Sequence, residues 1–125
     1  MRFSKKKRLV IVRVRLYGPE ADTVARMAVD TGASVTSIRN ELLELVGYDL
    51  SMVLSRTRII TRTQAETVPL LSVARLAALK QERTNVVVVA HTLPPSLGID
   101  GLLGLDFFAD QTLTINFRDG LITLE

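Results

Sequence analysis

Apolar and polar residues alternate at the start of the chain, over residues Leu9 to Tyr17. One side of an extended chain there is apolar and the other carries arginines, which is the period-two pattern of a strand with one buried face. Gly18 and Pro19 then break regular structure, and Thr23 to Val29 continues as a second strand. The pattern therefore predicts a β-hairpin. Its inward positions on the first strand are Val10, Val12, Val14 and Leu16.

The segment after this hairpin predicts a short strand followed by a short helix. Val35 to Ile38 is rich in β-branched residues. Ser37 is the predicted N-cap of a helix over Arg39 to Val46, and Gly47 is predicted to end that helix in the left-handed conformation. The predicted inward residues of the helix are Leu42, Leu45 and Val46.

A second hairpin is predicted between Ser55 and Leu71. Its arms are Arg58 to Thr61 and Thr67 to Leu70, and its tip is Arg62 to Glu66. The tip holds no glycine, so this pattern fits either a hairpin that closes over a ligand or an ordinary surface hairpin.

The rest of the chain also favours strands. Leu70 to Leu79 has helix propensity but suits a strand. A polar turn is predicted over residues 80–85, followed by Val86 to Ala90 as a strand buried on both faces. The C-terminal part predicts a short helix over Leu105 to Ala109 and a hairpin whose turn, Arg118 to Gly120, has glycine at the position that needs a positive φ.

The amino-acid composition excludes several kinds of functional site. The 125 residues are enough for one domain. There is no cysteine and one histidine, which excludes a disulfide framework and a multi-histidine or thiolate metal site, and no cofactor is expected. The net charge of +3 owes much to a basic run at residues 5–8. Without interleaved aromatic residues this run favours a solvated arm over a nucleic-acid-binding one. No stretch has the length of a membrane span, and we expect a cytoplasmic protein.

Two stretches carry the candidate chemistry. Residues 27–34 read Met-Ala-Val-Asp-Thr-Gly-Ala-Ser, so that an apolar run delivers Asp30 to its end. Aspartate is disfavoured inside strands, which places Asp30 on a loop; the plain alternative is an aspartate that caps its own turn. About 70 residues later, residues 100–108 read Asp-Gly-Leu-Leu-Gly-Leu-Asp-Phe-Phe.

Together these stretches resemble the retropepsin-like aspartic proteases, single-domain relatives of pepsin. In that family Asp-Thr-Gly carries the catalytic aspartate, and an apolar-apolar-Gly triplet packs behind it. The resemblance extends from Leu9 to the end. It implies an all-β fold, a closed barrel-like acid protease domain over residues 9–125 with one or two short helices, preceded by a basic flexible arm over residues 1–8.

The resemblance also implies site residues. Asp30, Thr31 and Gly32 would be catalytic, and Leu102, Leu103 and Gly104 would support the catalytic loop. Asp106 is expected at the helix surface or as a charge at the helix N-terminus. The residues expected to bind substrate are Ala33, Ser34, Ile60, Arg62, Thr63, Gln64, Ala65 and Leu103.

One aspartate per chain implies two chains. Aspartic proteases use two carboxylates that share a proton, and a two-fold homodimer would supply the second Asp30. The chain departs from the retroviral pattern at Ser34 and Leu105, where an aspartate and an arginine form an ion pair in the viral enzymes.

The resulting hypothesis is a homodimeric aspartic endopeptidase acting on peptide or protein substrates, without metal, nucleic acid or membrane. The alternative is a catalytically weak or inactive module of the same fold that dimerises or binds peptides. A nucleic-acid-binding or scaffolding role for the basic N-terminus is a third hypothesis from another class.

Overall fold

The computed structural model describes residues 1–53, 55–60 and 64–125, and the side chains of all of these except Met52 and Ile60. Within these ranges the chain forms nine strands, two short α-helices and two short 3-10 turns. The strands are β1 (Ile11–Tyr17), β2 (Asp22–Val29), β3 (Ser37–Ile38), β4 (Ser55–Ile60), β5 (Ala65–Ala78), β6 (Gln81–Ala90), β7 (Gly101–Leu103), β8 (Leu113–Asn116) and β9 (Leu121–Leu124). The helices are α1 (Asn40–Leu45) and α2 (Leu105–Phe108), and the 3-10 turns are Leu50–Met52 and Pro95–Leu97.

Six of the described strands close into a barrel. Their order is β1, β2, β7, β3, β6, β5, and β5 returns to β1 through the pairs Arg15–Ala77, Leu16–Leu76 and Tyr17–Arg75. The all-β barrel with two short helices that the sequence predicts is thus confirmed. None of the described helices is long and apolar enough to cross a membrane.

The core lies inside this barrel. The alternation in β1 predicts its inward face correctly, because Val12, Val14 and Leu16 are buried while Arg13 and Arg15 are exposed. Each strand contributes alternate residues to the interior. The largest fully buried side chains include Phe107, Leu16, Met27, Ile38 and Leu43.

Strand β7 is what brings the two sequence motifs together. It pairs parallel to β2, with Val29 opposite Leu103, and antiparallel to β3, with Ser37 opposite Leu102. The chain therefore inserts the residues before Gly104 between the strand that leads to Asp30 and the strand that leaves the loop.

The predicted helix after the loop exists but differs in detail. Its N-cap is Arg39, whereas Ser37 lies in β3 with a buried hydroxyl that has no hydrogen-bond partner among the described residues. Leu45, predicted to face inward, is 65% exposed, and Leu43 is buried instead. Gly47 has the expected positive φ of 105°.

The second hairpin is confirmed as β4 paired antiparallel with β5, although part of its predicted tip, residues 61–63, lies outside the described residues. Strand β5 pairs with β4 over Ala65–Leu70 and with β6 from Leu70 onward. The segment of uncertain type is therefore strand, continuous with the hairpin arm.

The predicted polar turn over residues 80–85 is wrong. The chain reverses at Leu79 and Lys80, which have positive φ values of 53° and 65°, and residues 81–85 already belong to β6. Val87, predicted to be buried, is 51% exposed. The C-terminal hairpin is as predicted, with Gly120 at a φ of 69°.

The first three residues of the expected flexible arm are held by β9. Met1 and Ile122 exchange hydrogen bonds, with Ile122 N–H donating to Met1 O over 2.8 Å, and Phe3 N–H donates to Gly120 O over 2.8 Å. Residues 4–8 are exposed.

Candidate active site

Asp30 stands immediately after β2, at the point where that strand leaves the barrel wall. Its main-chain N–H donates to Leu103 O over 3.0 Å, and its carbonyl accepts a bond from Ala33 N–H over 3.1 Å. The first bond fixes the height of the loop above β7, and the second closes the tight turn of residues 30–33. The loop is thereby attached to a strand rather than to another loop.

The Asp30 carboxylate is oriented by its own turn. Gly32 N–H donates to Asp30 Oδ1 over 2.8 Å, the aspartate turn that sequence considerations raise as an alternative. Oδ2 has no hydrogen-bond partner among the described residues, and the residue is partly exposed. A Cβ at Gly32 would lie 3.1 Å from Oδ1. The turn therefore fixes the orientation of the carboxylate through one of its two oxygens.

Gly104 packs against the back of the same loop. A Cβ at this position would lie 2.8 Å from Ala33 O and 2.9 Å from the carbonyl carbon of Val35. Both are main-chain atoms, so no side chain fits there without moving the loop. The next residue, Leu105, donates its N–H to Ala33 O over 2.8 Å. The predicted role of Gly104 matches this close contact.

Asp106 lies in the first turn of α2, as one of the two sequence expectations has it, and its carboxylate is half-buried rather than at the helix surface. Thr36 is fully buried; its hydroxyl donates to Asp106 Oδ1 over 2.7 Å, and its N–H lies 3.1 Å from both carboxylate oxygens. The same hydroxyl accepts from Gly104 N–H over 3.1 Å, and Phe107 N–H donates to Asp106 Oδ1 over 3.0 Å. Asp106 thus ties the end of the catalytic loop to α2.

This network uses Thr36 and Asp106 rather than Ser34 and Leu105, the positions of the viral ion pair. The sequence contains its signal: Thr36 lies six residues after Asp30, and Asp106 lies two after Gly104. A buried hydroxyl and a half-buried carboxylate within apolar stretches need hydrogen-bond partners, and the two satisfy each other.

A cleft of about 520 Å³ lies beside the loop. It runs between Val35, which follows the loop, and Thr57 on β4, so the hairpin of β4 and β5 forms one wall. Its apolar lining was not predicted, and the exposed Val87 is part of it. The cleft residues are Val35, Thr57, Leu70, Arg83, Thr84, Val86, Val87, Val89, Asp106 and Phe107.

A larger cavity, of about 650 Å³, lies on the outside of the barrel. It is lined by β1, β5 and β6 residues such as Arg13 and Tyr17, whereas the cleft of about 520 Å³ includes Val35, just after the loop, and Asp106. The smaller cleft, next to Val35, has the mainly apolar lining that a peptide side chain needs, so size alone does not identify the site.

The predicted site residues fall into two groups. Thr31 and Ser34 are exposed on the loop, and Ala33 is half-buried there. Leu103 is fully buried, which fits loop support but leaves no surface for the substrate contact also predicted for it, and Leu102 lies beside it in β7.

The hairpin residues form the second group. Ile60 ends β4 opposite Ala65, and Gln64 donates to the Glu66 carboxylate over 3.1 Å. Arg62 and Thr63 lie outside the described residues. Ile60, Gln64 and Ala65 are not among the described residues that line the cleft, to which the hairpin contributes Thr57 and Leu70.

A closed barrel that presents an Asp-Thr-Gly loop above a Leu-Leu-Gly strand has the retropepsin-like fold. The family model described as aspartyl protease matches residues 12–107, and the chain belongs to this family. No curated protein sequence matches the chain.

The fold also has a close structural counterpart. The chain is similar to a retropepsin-like aspartic protease from Rickettsia conorii, with a TM-score of 0.74. The match has 18% sequence identity and covers 99% of this chain and 87% of the other. At that identity the likeness establishes the shared fold.

Proposed function

We propose that the chain is a homodimeric aspartic endopeptidase in which the Asp30 carboxylates of two copies activate one water molecule. The observation that carries this proposal is the Asp30 turn: a carboxylate at a strand end, held by Gly32 N–H through one oxygen, with the other oxygen unpartnered among the described residues. Because Asp30 is partly exposed, its carboxylate is accessible to water.

Two-fold symmetry would supply the second carboxylate. Thr31 is exposed beside Asp30, and its hydroxyl makes no hydrogen bond among the described residues. In the proposed dimer this hydroxyl donates to the opposite loop, and Gly32 lets the two main chains approach closely.

The chemistry then follows from two adjacent carboxylates. Like charges about 3 Å apart do not both ionise, so the pair holds one proton. The ionised Asp30 removes a proton from the water, which adds to the scissile carbonyl carbon, while the protonated Asp30 donates to the carbonyl oxygen. The tetrahedral intermediate breaks its C–N bond as a proton passes to the leaving amine, giving a carboxylic acid and an amine.

The cleft supports an extended peptide as substrate. Its lining is mainly apolar, and the β4–β5 hairpin offers main-chain groups for strand-like pairing. Ala33 and Ser34 on the loop, together with Ile60, Arg62, Thr63, Gln64 and Ala65 on the hairpin, are the proposed substrate contacts. Apolar side chains flanking the scissile bond are the expected specificity.

The test is cleavage of a peptide library across roughly pH 3–7, compared between the native chain and Asp30→Asn. Asp110→Asn is the matched control, because Asp110 is exposed and asparagine tolerates its positive φ of 64°. Cleavage that Asp30→Asn abolishes and Asp110→Asn preserves is expected. A folded dimer without cleavage would favour the alternative, a binding or dimerisation module.

A further inference from the structure

The larger cavity, on the outside of the barrel, is formed where a short side chain lies between two long ones. Ala77 on β5 pairs with Arg15 on β1 and with Glu82 on β6. All three residues line the cavity, whose volume is about 650 Å³. Because paired residues on neighbouring strands point to the same face of a sheet, the small alanine leaves the floor open between Arg15 and Glu82. We call this space the outer cavity.

Two ion pairs neutralise part of the outer cavity. Arg15 Nη1 lies 2.8 Å from Asp22 Oδ2, and Arg75 Nη1 lies 3.8 Å from Glu82 Oε1. The Arg75 guanidinium also stacks over the ring of Tyr17, 3.8 Å from the ring centroid. The charge of the Glu82 carboxylate is therefore already balanced within the chain, and it does not compensate the other cations of the cavity.

Two further cations line the outer cavity without a partner. Arg13 and Lys80 are exposed, and neither side chain makes a hydrogen bond or an ion pair among the described residues. Arg13 is also opposite Arg26 in the β1–β2 ladder, and like charges that face each other across a ladder are unfavourable. The cavity thus carries positive charge that the described part of the fold does not balance.

The backbone of Lys80 is in a conformation that lysine rarely adopts. Leu79 and Lys80 form the two-residue turn between Ala78 and Gln81, with φ values of 53° and 65°. Turns of this kind strongly favour asparagine or glycine, because both residues need a positive φ. The Leu79 side chain is buried, which accounts for leucine, but the exposed Lys80 side chain has no partner among the described residues that accounts for lysine. An unfavourable conformation without structural compensation points to a functional constraint.

We propose that the outer cavity binds a small anion that carries two or more phosphate groups. Arg13 donates two parallel N–H bonds from its planar guanidinium, and Lys80 contributes a point charge. A terminal phosphate brings about −1.5 to −2 charges and three acceptor oxygens at neutral pH. A single carboxylate, by contrast, would leave one of these two cations unbalanced, and Arg26 adds to the same positive field.

A compact ligand fits this cavity better than a long polyanion. The cavity volume of about 650 Å³ lies within the range of roughly 300–1,000 Å³ that small-molecule sites occupy. Asp22, beside Arg15, and Glu82, across the floor, are carboxylates that would repel phosphates continuing past them. The exposed Val24 gives the cavity an apolar surface that an organic group attached to the phosphates can cover.

The experiment measures binding of tripolyphosphate and of ATP to the full chain by calorimetry, in metal-free buffer at an ionic strength of about 0.1 M, where charges more than about 10 Å apart are largely screened. Arg13→Gln should raise the dissociation constant roughly tenfold or more, because it removes a charge-assisted bidentate contact. Arg58→Gln is the matched control, since Arg58 is also an exposed strand arginine but lies on β4, opposite Thr67 of β5. This change should alter the constant by less than about twofold.

Two substitutions of Lys80 separate loss of charge from loss of the fold. Lys80→Asn removes the charge but suits the positive φ, so it should weaken binding roughly fivefold or more while the Tm without ligand stays unchanged or rises. Lys80→Arg keeps the charge and should bind within about threefold of the native chain.

Binding is measured independently of peptide cleavage, so the failure of this proposal and that of the protease are distinguishable. Binding of tripolyphosphate, with or without ATP, would support the site as one for a free oligophosphate, and binding of ATP alone would support it as one for a nucleotide. The site would be overturned by a native chain that binds neither anion, by equal weakening in Arg13→Gln and Arg58→Gln, or by native affinity in Lys80→Asn. Binding of single-stranded RNA but of neither small anion would also overturn it, in favour of a nucleic-acid-binding surface.

Discussion

Thr36→Val tests how the catalytic loop is held. The substitution keeps the shape of a fully buried side chain but removes the hydroxyl that donates to Asp106 over 2.7 Å and accepts from Gly104 N–H over 3.1 Å. Loss of a hydrogen bond to a carboxylate costs about 1.5–3 kcal/mol, and a buried N–H left without a partner costs about 1–3 kcal/mol. The free energy of unfolding should therefore fall by about 3–5 kcal/mol.

The assay is urea unfolding followed by far-ultraviolet circular dichroism at one fixed protein concentration, because association shifts apparent stability. In thermal unfolding, a domain of this size loses about 4 °C of Tm per kcal/mol, so Tm should fall by roughly 12–20 °C. The control is Thr123→Val, an exposed strand threonine for which a change within about 0.5 kcal/mol is expected.

A double-mutant cycle with Asp106→Asn identifies the partner. If Thr36 acts through Asp106, the two changes should be non-additive by about 1–2 kcal/mol. The peptide-cleavage kcat should fall in both single variants, since the loop that carries Asp30 loses its attachment. An additive cycle, or a loss of less than about 1 kcal/mol in Thr36→Val, would refute the reasoning.

Three further substitutions, with Gly98→Ala as a control for the first, test other contacts. Gly104→Ala places a Cβ 2.8 Å from a catalytic-loop carbonyl oxygen and should destabilise the fold by about 2–3 kcal/mol in urea unfolding. Gly98→Ala, with open space but a φ of +66°, should cost only about 1 kcal/mol; equal losses would contradict the close-packing argument. Tyr48→Phe removes a hydroxyl that joins the main chains of β1 and β5, each over 2.8 Å, and should lower stability by about 1–3 kcal/mol; an unchanged urea midpoint would show that water replaces it. The pKa of Glu41 is held below its ordinary value by its own main-chain N–H and by the Thr92 hydroxyl. The ionised carboxylate therefore stabilises the fold at pH values above the ordinary glutamate pKa. This contribution is lost as the pH falls through the lowered pKa. Thr92→Val should raise the Glu41 midpoint in an NMR titration, and an unchanged midpoint would exclude the hydroxyl as a cause.

Local patterns in the sequence predict the barrel wall and the loop well. The alternation in β1 predicts its buried face, because apolar and polar residues alternate along a strand that has one buried and one solvent-exposed face. Asp30 is also found from sequence, since an acid at a strand end conflicts with local preference and so indicates a special environment. Gly104 is found through the resemblance to the retropepsin-like proteases.

Other features depend on tertiary structure and have no local signal. Ser37 has the composition of a helix N-cap, but pairing with β6 and β7 draws it into β3. The helix start is fixed instead by Arg39, which bonds Asp100 through both its main-chain N–H and its guanidinium, over 2.8 and 2.7 Å. The reversal at Leu79 and Lys80 uses positive φ at residues that rarely adopt it, so composition points to the more polar residues that follow.

Strand β5 is paired with strands of the barrel only from Leu70 onward. From that residue onward it is built into the barrel through β6 and, further along, β1, whereas Ala65 to Pro69 is supported by β4 alone. Bending the segment from Ala65 to Pro69 would break none of the hydrogen bonds that join β5 to β6 and β1. A displacement of this end would move Thr57, on one wall of the cleft, and leave the pairing of β2 with β7 under Asp30 unchanged.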